Sequence, residues 1–150
     1  MKSALIALLA FCLCLPLMGD DAAKKKFEET KANAEKGDAA AEFSLGIMYF
    51  KGHGVSQDHK EAVKWYRKSS EQGDAGAQYA LGYLYYNGKG VKENRITAYA
   101  MCIIASANGN GLASVLWKPK LEKQMTPEQI AEGQKLSKEM IKKNPKLINE

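Results

Sequence analysis

Apolar and small residues recur along this chain with a period of 36 residues. Residues 38–73 form a first unit, and residues 74–109 repeat its pattern with no insertion or deletion. Such self-similarity predicts a solenoid, because a single unit can bury its apolar face only against a neighbouring unit. The residue pairs that share the offset are Ala41/Ala77, Leu45/Leu81, Gly46/Gly82, Tyr49/Tyr85, Gly52/Gly88, Gly54/Gly90, Val55/Val91 and Ala62/Ala98.

The first half of each unit predicts an amphipathic helix, helix A. In the first unit Asp38 is a suitable N-cap, and Ala41, Leu45 and Tyr49 follow one another at four-residue spacing on one face. Gly52 comes after the last apolar position and can adopt the left-handed conformation that closes a helix. The pattern therefore places helix A between Asp38 and Gly52.

The second half of each unit predicts another helix, helix B. Asp58 and Glu61 form an aspartate variant of the capping box, and Gly73 lies just beyond the expected end of the helix. Paired helices joined by short loops predict an all-α fold, an α-solenoid of antiparallel helix pairs. The residues expected to face inward from the first helix B are Ala62, Tyr66 and Ser69.

These residues resemble the signature of the Sel-1-like repeat (SLR) family, relatives of the tetratricopeptide repeats with a longer period and a glycine-containing loop. The second unit departs from it at Met101, Cys102 and Asn94, and the first at Ser69 and Ser70. The resemblance covers about half of the chain; it implies the solenoid fold and a binding or scaffolding role, and it implies no particular activity. In addition to the pairs above, the first unit matches at Asp58, Lys60, Trp65, Tyr66 and Gly73, and the second at Ala105 and Gly109.

Two repeats are fewer than the three or so that a stable solenoid needs, so the flanking segments are predicted to act as caps. At the N-terminal end, residues 20–37 predict a capping helix in which Phe27 and Ala34 occupy the positions of Val63 and Ser70. The expected organisation is a signal peptide at 1–19, this helix at 20–37, repeats at 38–73 and 74–109, and a partial repeat with a C-terminal capping helix at 110–150.

The C-terminal region predicts two helices. Asn110 is expected to cap a short third helix A, which Pro119 would end. Thr126, Pro127 and Gln129 form a strong helix start. The helix that follows is expected to run to about Lys143 and to cover the end of the solenoid with one apolar face: Ile130, Gly133, Leu136, Met140 and Ile141.

The first 19 residues predict an export signal, with a lysine at position 2, an apolar run from Ala4 to Met18 and an acceptable cleavage site after Gly19. A lipoprotein signal is disfavoured because Phe11 and Leu13 precede the two cysteines of the run. A retained membrane anchor is the remaining alternative, although the apolar run is short for a membrane span. We therefore expect a periplasmic or secreted protein with no membrane span after cleavage.

Charge says little about the partner. The chain has 22 basic and 17 acidic residues, a net charge of +5, and the two signs are mixed along the helices. Loss of residues 1–19 would remove one lysine and no acid. Export and the lack of a basic aromatic platform in the sequence argue against nucleic acid as a partner.

The candidate catalytic and metal-binding residues favour structural roles. Cys102 would be the only cysteine after processing, so no intramolecular disulfide is expected, and its alignment with Tyr66 indicates a buried thiol; intermolecular pairing is the alternative. Cysteine-rich SLR proteins have been linked to β-lactam hydrolysis, but this chain lacks their cysteine pairs. His53 and His59 are too few ligands for a zinc site and are interpreted as surface residues. We expect no cofactor, no metal and no enzymatic activity.

The Gly-x-Gly loops follow the C-terminal end of each helix A, whereas phosphate sites use helix N-termini. We therefore interpret both loops as turns and not as phosphate cradles. Each predicted loop also contains a valine, Val55 or Val91, that is expected to reach the core.

Helix A also carries a second apolar stripe, which predicts a binding surface. Tyrosines spaced i, i+4 and i+7 offer rigid contact area with a polar tip. We predict a concave groove for a peptide or protein segment with Lys51, Lys89 and Lys92 at its rim, although packing between repeats explains Phe43 and Ile47 equally well. The role would be that of an adaptor or scaffold, with an inhibitor or immunity-type protein that blocks an enzyme as the alternative. The predicted partner-binding residues are Phe43, Ile47, Phe50, Lys51, Tyr79, Tyr83, Tyr86 and Asn87.

Overall fold

The computed structural model describes residues 15–149, so most of the predicted signal segment lies outside the described residues. Within this range the chain is helical and has no strand, which confirms the all-α prediction. None of the helices there is both long enough and apolar enough to span a membrane. The elements are α1 (Leu15–Glu35), α2 (Ala39–Lys51), α3 (His59–Glu71), α4 (Ala75–Asn87), α5 (Arg95–Ala107), a π-helical turn (Ala113–Trp117), α6 (Lys118–Glu122), α7 (Pro127–Lys143) and a 3₁₀ turn (Pro145–Leu147).

The predicted helix starts and stops of the repeats are confirmed. The Asp38 carboxylate accepts a hydrogen bond from the Ala41 amide at 2.7 Å, and Asp74 caps α4 in the same way. Gly52 and Gly88 end α2 and α4 with φ values of 73° and 63°, in the left-handed region where glycine is favoured. Local chemistry therefore defines both helices A.

The helices B begin as predicted, with one difference. Asp58 accepts from the amides of Lys60 and Glu61 at 2.8 and 3.0 Å. The reciprocal bond of a capping box does not form, because the Glu61 carboxylate pairs with Lys64 at 3.4 Å instead. Asn94 replaces the acidic cap in the second unit and accepts from the Thr97 amide at 2.9 Å.

Successive helices pack as pairs around three apolar clusters. Helix α2 packs on α3, α4 packs on α5, and α3 joins the two pairs by packing on α4. The N-terminal helix α1 packs on α2, with Phe27 and Ala34 buried as predicted, and it begins at Leu15, upstream of the predicted cleavage site. The central core consists of Ala62, Val63, Tyr66, Ala77, Leu81, Leu84 and Met101, and half-buried Val91 packs against it.

The second glycine of each Gly-x-Gly loop has a packing role that turn geometry alone does not explain. Gly54 and Gly90 both have a φ of 71°. A Cβ atom on Gly54 would collide with the Ala23 carbonyl, and one on Gly90 would collide with the His59 carbonyl. These loops therefore bring the backbones of neighbouring units into direct contact, and only glycine leaves room for it.

Pro119 does not end the third helix A, contrary to the prediction. Helical structure continues from Gly111 through the π-helical turn into α6, where Pro119 is the second residue. Proline clashes with the carbonyl four residues earlier in a regular helix, and a π turn relieves this by widening the ring of hydrogen bonds. The Lys118 amide accordingly donates to the Ala113 carbonyl, five residues earlier.

The C-terminal helix packs on α5, the last helix B, but it does not cover the end of the solenoid as predicted, since Leu112, Val115 and Leu116 stay exposed there. Thr126 and Gln129 make both bonds of the capping box, at 3.3 and 3.0 Å, and α7 packs along α5. Gly133 allows this approach, since a Cβ atom there would lie 2.7 Å from Cδ1 of Tyr99. Beyond α7, the buried Leu147 anchors the C-terminal tail.

The tail is held at the junction between the repeats. The Leu147 carbonyl accepts hydrogen bonds from Gln78 at 2.8 Å and from Asn108 at 2.6 Å. The Asn149 amide donates to the Asn108 side chain, and the Asn149 side chain donates to the Gly73 carbonyl. The tail thus links the end of the chain to the start of the second repeat.

Candidate functional site

A groove of about 400 Å³ lies between α2 and α4, on the side of the molecule formed by the helices A. The structure brings six of the predicted binding residues into its lining: Phe43, Ile47, Phe50, Lys51, Tyr79 and Tyr83. Tyr66, Gly76, Ala80, Leu84, Asn110 and Leu112 complete the lining.

The groove and the packing between repeats use the same side chains. Phe43 and Ile47 are half-buried and pack against the central core while they line the groove. The Phe43 ring lies 5.7 Å from that of Tyr66, and the Phe50 ring meets that of Tyr83 edge-on at 6.2 Å. Tyr79 and Tyr83 are half-buried, so each keeps a surface open to solvent.

Tyr86 and Asn87 do not line the groove. The Tyr86 hydroxyl donates to the Gln124 side chain at 2.7 Å, and its ring packs against Trp117 at 5.2 Å. The Asn87 side chain donates to the Tyr83 carbonyl at 2.8 Å, within its own helix. Tyr86 and Asn87 therefore contact residues next to the groove but do not form its wall.

Trp117 is the residue that the sequence patterns did not identify. Its ring meets the rings of Tyr79, Tyr83 and Tyr86 edge-on, at 6.0, 5.7 and 5.2 Å. The repeat offset aligns Trp117 with the core residue Leu81, but the π turn interrupts the helical register before it. The sequence feature that could have indicated this is Pro119, since a proline inside a helical pattern indicates a local distortion of the helix.

Two lysines extend over the aromatic rings beside the groove. The Lys89 ammonium lies 5.5 Å from the ring centres of both Phe50 and Tyr83. The Lys120 ammonium lies 5.0 Å from the Trp117 ring and 5.4 Å from the Tyr86 ring. No Asp or Glu belongs to the lining of the groove, so its rim is positively charged.

A second groove, of about 560 Å³, lies between α1 and α2. Ile47 lines both grooves, so the two are neighbours on one face of the molecule. Its other lining residues include Lys26, Thr30, Ser44 and the exposed His53. The two grooves thus lie side by side across α1, α2 and α4.

The reactive side chains do not form a catalytic arrangement at this face. Cys102 is buried, its thiol donates to the Ala113 carbonyl at 3.2 Å, and burial raises the pKa of this thiol to about 11. It is therefore an unreactive thiol at neutral pH. His59 is half-buried against the Phe50 ring at 5.1 Å, a correction to its expected surface position. Within residues 15–149 no group of His, Cys, Asp or Glu converges as a metal site.

Comparison with known proteins identifies the repeat. The model of the Sel1 repeat matches residues 39–74 and 75–110. A crystal structure of a protective antigen from uropathogenic Escherichia coli, described as displaying an SLR fold, is similar with a TM-score of 0.77 and 37% identity over 83% of this chain. A Sel1 repeat protein from Oxalobacter formigenes is similar with a TM-score of 0.59 and 40% identity over 61% of the chain.

A curated relative is the secretory immunoglobulin A-binding protein EsiB of Escherichia coli O6:H1, which is 36% identical over 73 residues, or 46% of this chain. All three relatives are longer proteins. The matches span 14% of EsiB, 27% of the E. coli antigen and 37% of the O. formigenes protein. The shared part is the repeat solenoid.

Proposed function

Because the chain is a Sel1-repeat protein, and Sel1 repeats are in general non-catalytic protein-interaction modules, we propose that it is an exported adaptor that binds a protein segment in the groove between α2 and α4. The observation that carries the proposal is the groove itself, where an aromatic wall and a lysine rim occur together on a solvent-open face. The name of EsiB supports protein binding as the class of function.

The chemistry of the groove suits a protein ligand. Phe50, Tyr79 and Tyr83 present large, rigid rings that lose little conformational freedom on binding, and aromatic residues of this kind dominate the energetics of protein interfaces. Lys51 and Lys89 add long-range attraction, which raises the association rate and sets the preferred charge of the ligand. A ligand would displace water from a surface that is already mostly apolar.

Export is the second part of the proposal. It is supported by the N-terminal pattern of one lysine, an apolar run and two aspartates. Cleavage after Gly19 would leave α1 starting at Asp20, with the buried Phe27 and Ala34 still in place. Intact-mass measurement of the protein recovered from the envelope and culture medium tests this, since a mass that retains residues 1–19 would contradict it.

The groove is tested with paired variants of the full chain. Ala80→Trp fills the groove without changing charge, and Ala131→Trp makes the same change at an exposed position of α7 that lines neither groove. Lys89→Glu reverses the charge over the Phe50 and Tyr83 rings beside the groove. Lys92→Glu makes the same change at an exposed lysine that was predicted at the rim but does not line the groove.

We expect a partner captured from the source organism's envelope or medium to be retained by the parent, Ala131→Trp and Lys92→Glu. The same partner should be lost by Ala80→Trp and weakened by Lys89→Glu. Circular dichroism and an unchanged unfolding midpoint confirm that each variant is folded. Equal capture by all five proteins would refute the groove as the binding site. If the captured protein is an enzyme that loses activity in the complex, the chain acts as an inhibitor and not as an adaptor.

A further inference from the structure

Three large apolar side chains of the third helical segment, residues 111–122, are open to solvent. The exposed fractions are 55% for Leu112, 71% for Val115 and 59% for Leu116. They are the exposed large hydrophobic residues of the described part of the chain, and they lie within five residues of one another. We call this surface the terminal face.

The repeat shows what normally covers these positions. Val115 is the 36-residue equivalent of Tyr79 and Phe43. Phe43 packs against Gly76 of α4, the next helix A, and Tyr79 packs against Trp117 of the segment after that. Ala113 is fully buried like its equivalent Ala77, so the offset still applies at the start of the π turn, and the terminal face lies where another helix would pack.

The described residues that follow do not cover the terminal face. Helix α7 packs on α5, on the helix B side of the molecule. The C-terminal tail lies at Gly73, Gln78 and Asn108. A covering helix therefore does not come from residues 123–149.

The charges near the terminal face indicate which kind of helix would bind there. Lys120 and Lys123 are exposed and follow Leu116 by four and seven residues, the spacing that keeps side chains on one face of a helix. The nearby Glu122 carboxylate accepts a 2.6 Å hydrogen bond from the Tyr99 hydroxyl and is directed toward α5. A second copy of the chain docked face to face would bring like charges together, whereas a helix with carboxylates beside its apolar stripe would pair with them.

The position of the face favours a protein over a membrane. Leu112 belongs both to the terminal face and to the lining of the groove between α2 and α4. A helix can extend from this face into a concave groove, and a flat lipid surface cannot follow it. Basic amphipathic surfaces do bind anionic membranes, so vesicles belong in the test.

We infer that the terminal face binds an acidic amphipathic helix of a partner protein, stacked where the helix A of a further repeat would lie. This inference rests on the proposed protein-binding function and names the chemistry of the ligand. The apolar stripe of the bound helix packs on Leu112, Val115 and Leu116. Its acidic residues pair with Lys120 and Lys123.

The test uses three synthetic 18-residue peptides and the full chain. One peptide has a leucine stripe at i, i+3, i+4 and i+7 flanked by glutamates, the second has lysines in place of the glutamates, and the third has the composition of the first with the stripe scrambled. The chain is compared with Val115→Asp/Leu116→Asp. The matched control, Ala32→Asp/Ala131→Asp, adds the same charge at two exposed positions of α1 and α7.

Fluorescence anisotropy should show that the acidic striped peptide binds the parent and the control, and binds Val115→Asp/Leu116→Asp at least about tenfold more weakly. Its affinity should fall as salt is raised from 50 to 500 mM. Equal binding to the Val115→Asp/Leu116→Asp variant, equal binding of the lysine peptide or the scrambled peptide, or no binding of the acidic peptide would overturn the inference.

Two further measurements identify other occupants. A dimer of the parent by analytical ultracentrifugation that the Val115→Asp/Leu116→Asp variant lacks would show that a second copy covers the face. Binding of the parent, but not this variant, to phosphatidylglycerol vesicles would show a membrane surface instead. Either result overturns the inference. Ala80→Trp separates the two proposals, because it fills the groove and leaves Val115 and Leu116, which lie outside the groove lining, unchanged.

Discussion

The contact between Gly90 and the His59 carbonyl predicts that an added methyl group is costly at this glycine. Gly90 has a φ of +71°, and a Cβ atom there would collide with the backbone of the preceding repeat. Gly109 has a φ of +83° with no atom within 4 Å of an added Cβ. Gly90→Ala and Gly109→Ala therefore share the conformational penalty, and only the first has the collision.

The expected loss of stability follows from these two terms. An alanine held in the left-handed region costs about 1–2 kcal/mol, which is the full expected effect of Gly109→Ala. The collision at Gly90 adds about 1–3 kcal/mol, since the neighbour is backbone and cannot change rotamer. Gly90→Ala should thus cost about 2–5 kcal/mol, a large part of the 5–15 kcal/mol that stabilises a typical domain.

Urea unfolding followed by far-ultraviolet circular dichroism measures both variants, with the free energy of unfolding obtained by linear extrapolation. Gly90→Ala should lower the midpoint clearly more than Gly109→Ala. Equal losses in the two variants would show that the close approach of the repeats at Gly90 is not a tight contact, and the packing role assigned to this glycine would be wrong.

Other contacts lead to predictions of the same kind. Burial and the hydrogen bond to Glu122 raise the pKa of Tyr99 to about 12. In the unfolded chain the tyrosine hydroxyl ionises near pH 10. The stability that Tyr99 contributes is therefore complete below pH 10 and is lost as pH rises from 10 to 12. Tyr99→Phe should cost about 1 kcal/mol at pH 7, and its stability difference from the parent should shrink between pH 10 and 12 in urea titrations; a constant difference would contradict this. Asn108→Ala removes bonds to the tail and should cost about 1–3 kcal/mol, with hydrogen exchange of residues 145–149 accelerated; unchanged exchange there would show that the tail is held by Leu147 alone. Thr126→Ala removes the N-cap of α7 and should cost about 0.5–2 kcal/mol, seen as faster exchange in the first turn of α7, whereas Thr126→Ser should restore protection.

Helices α2 to α5 could be predicted from the sequence because each has its own start and stop chemistry. Asp38 and Gly52 define one helix without reference to the rest of the fold, and the repeat transfers the same assignment to the next unit. The capping box of Thr126 and Gln129 defines the start of α7 in the same way. Local hydrogen bonds of this kind can be recognised from residue type and spacing.

The third helix A could not be predicted in this way. A single proline suggested a helix end, but the surrounding packing favours a π turn that keeps the segment helical through Pro119. The position of Trp117 depends on that distortion, so its contacts with three tyrosines could not be predicted from local sequence spacing. The groove-lining stripe could be predicted from helical spacing. Tyr86 and Asn87 could not be placed in this way, because the Tyr86 hydroxyl donates to Gln124 and the Asn87 side chain donates to the Tyr83 carbonyl of its own helix.

The C-terminal tail changes how this solenoid is expected to unfold. In repeat arrays each unit usually contacts only its neighbours, so the ends unravel one unit at a time. Here Asn149 bonds to the Gly73 carbonyl, a contact that spans 76 residues. The last unit cannot open without releasing the junction between the first two. We therefore expect a single cooperative transition with a slower folding step than a short helical array would show, because this contact joins parts of the chain that are distant in sequence.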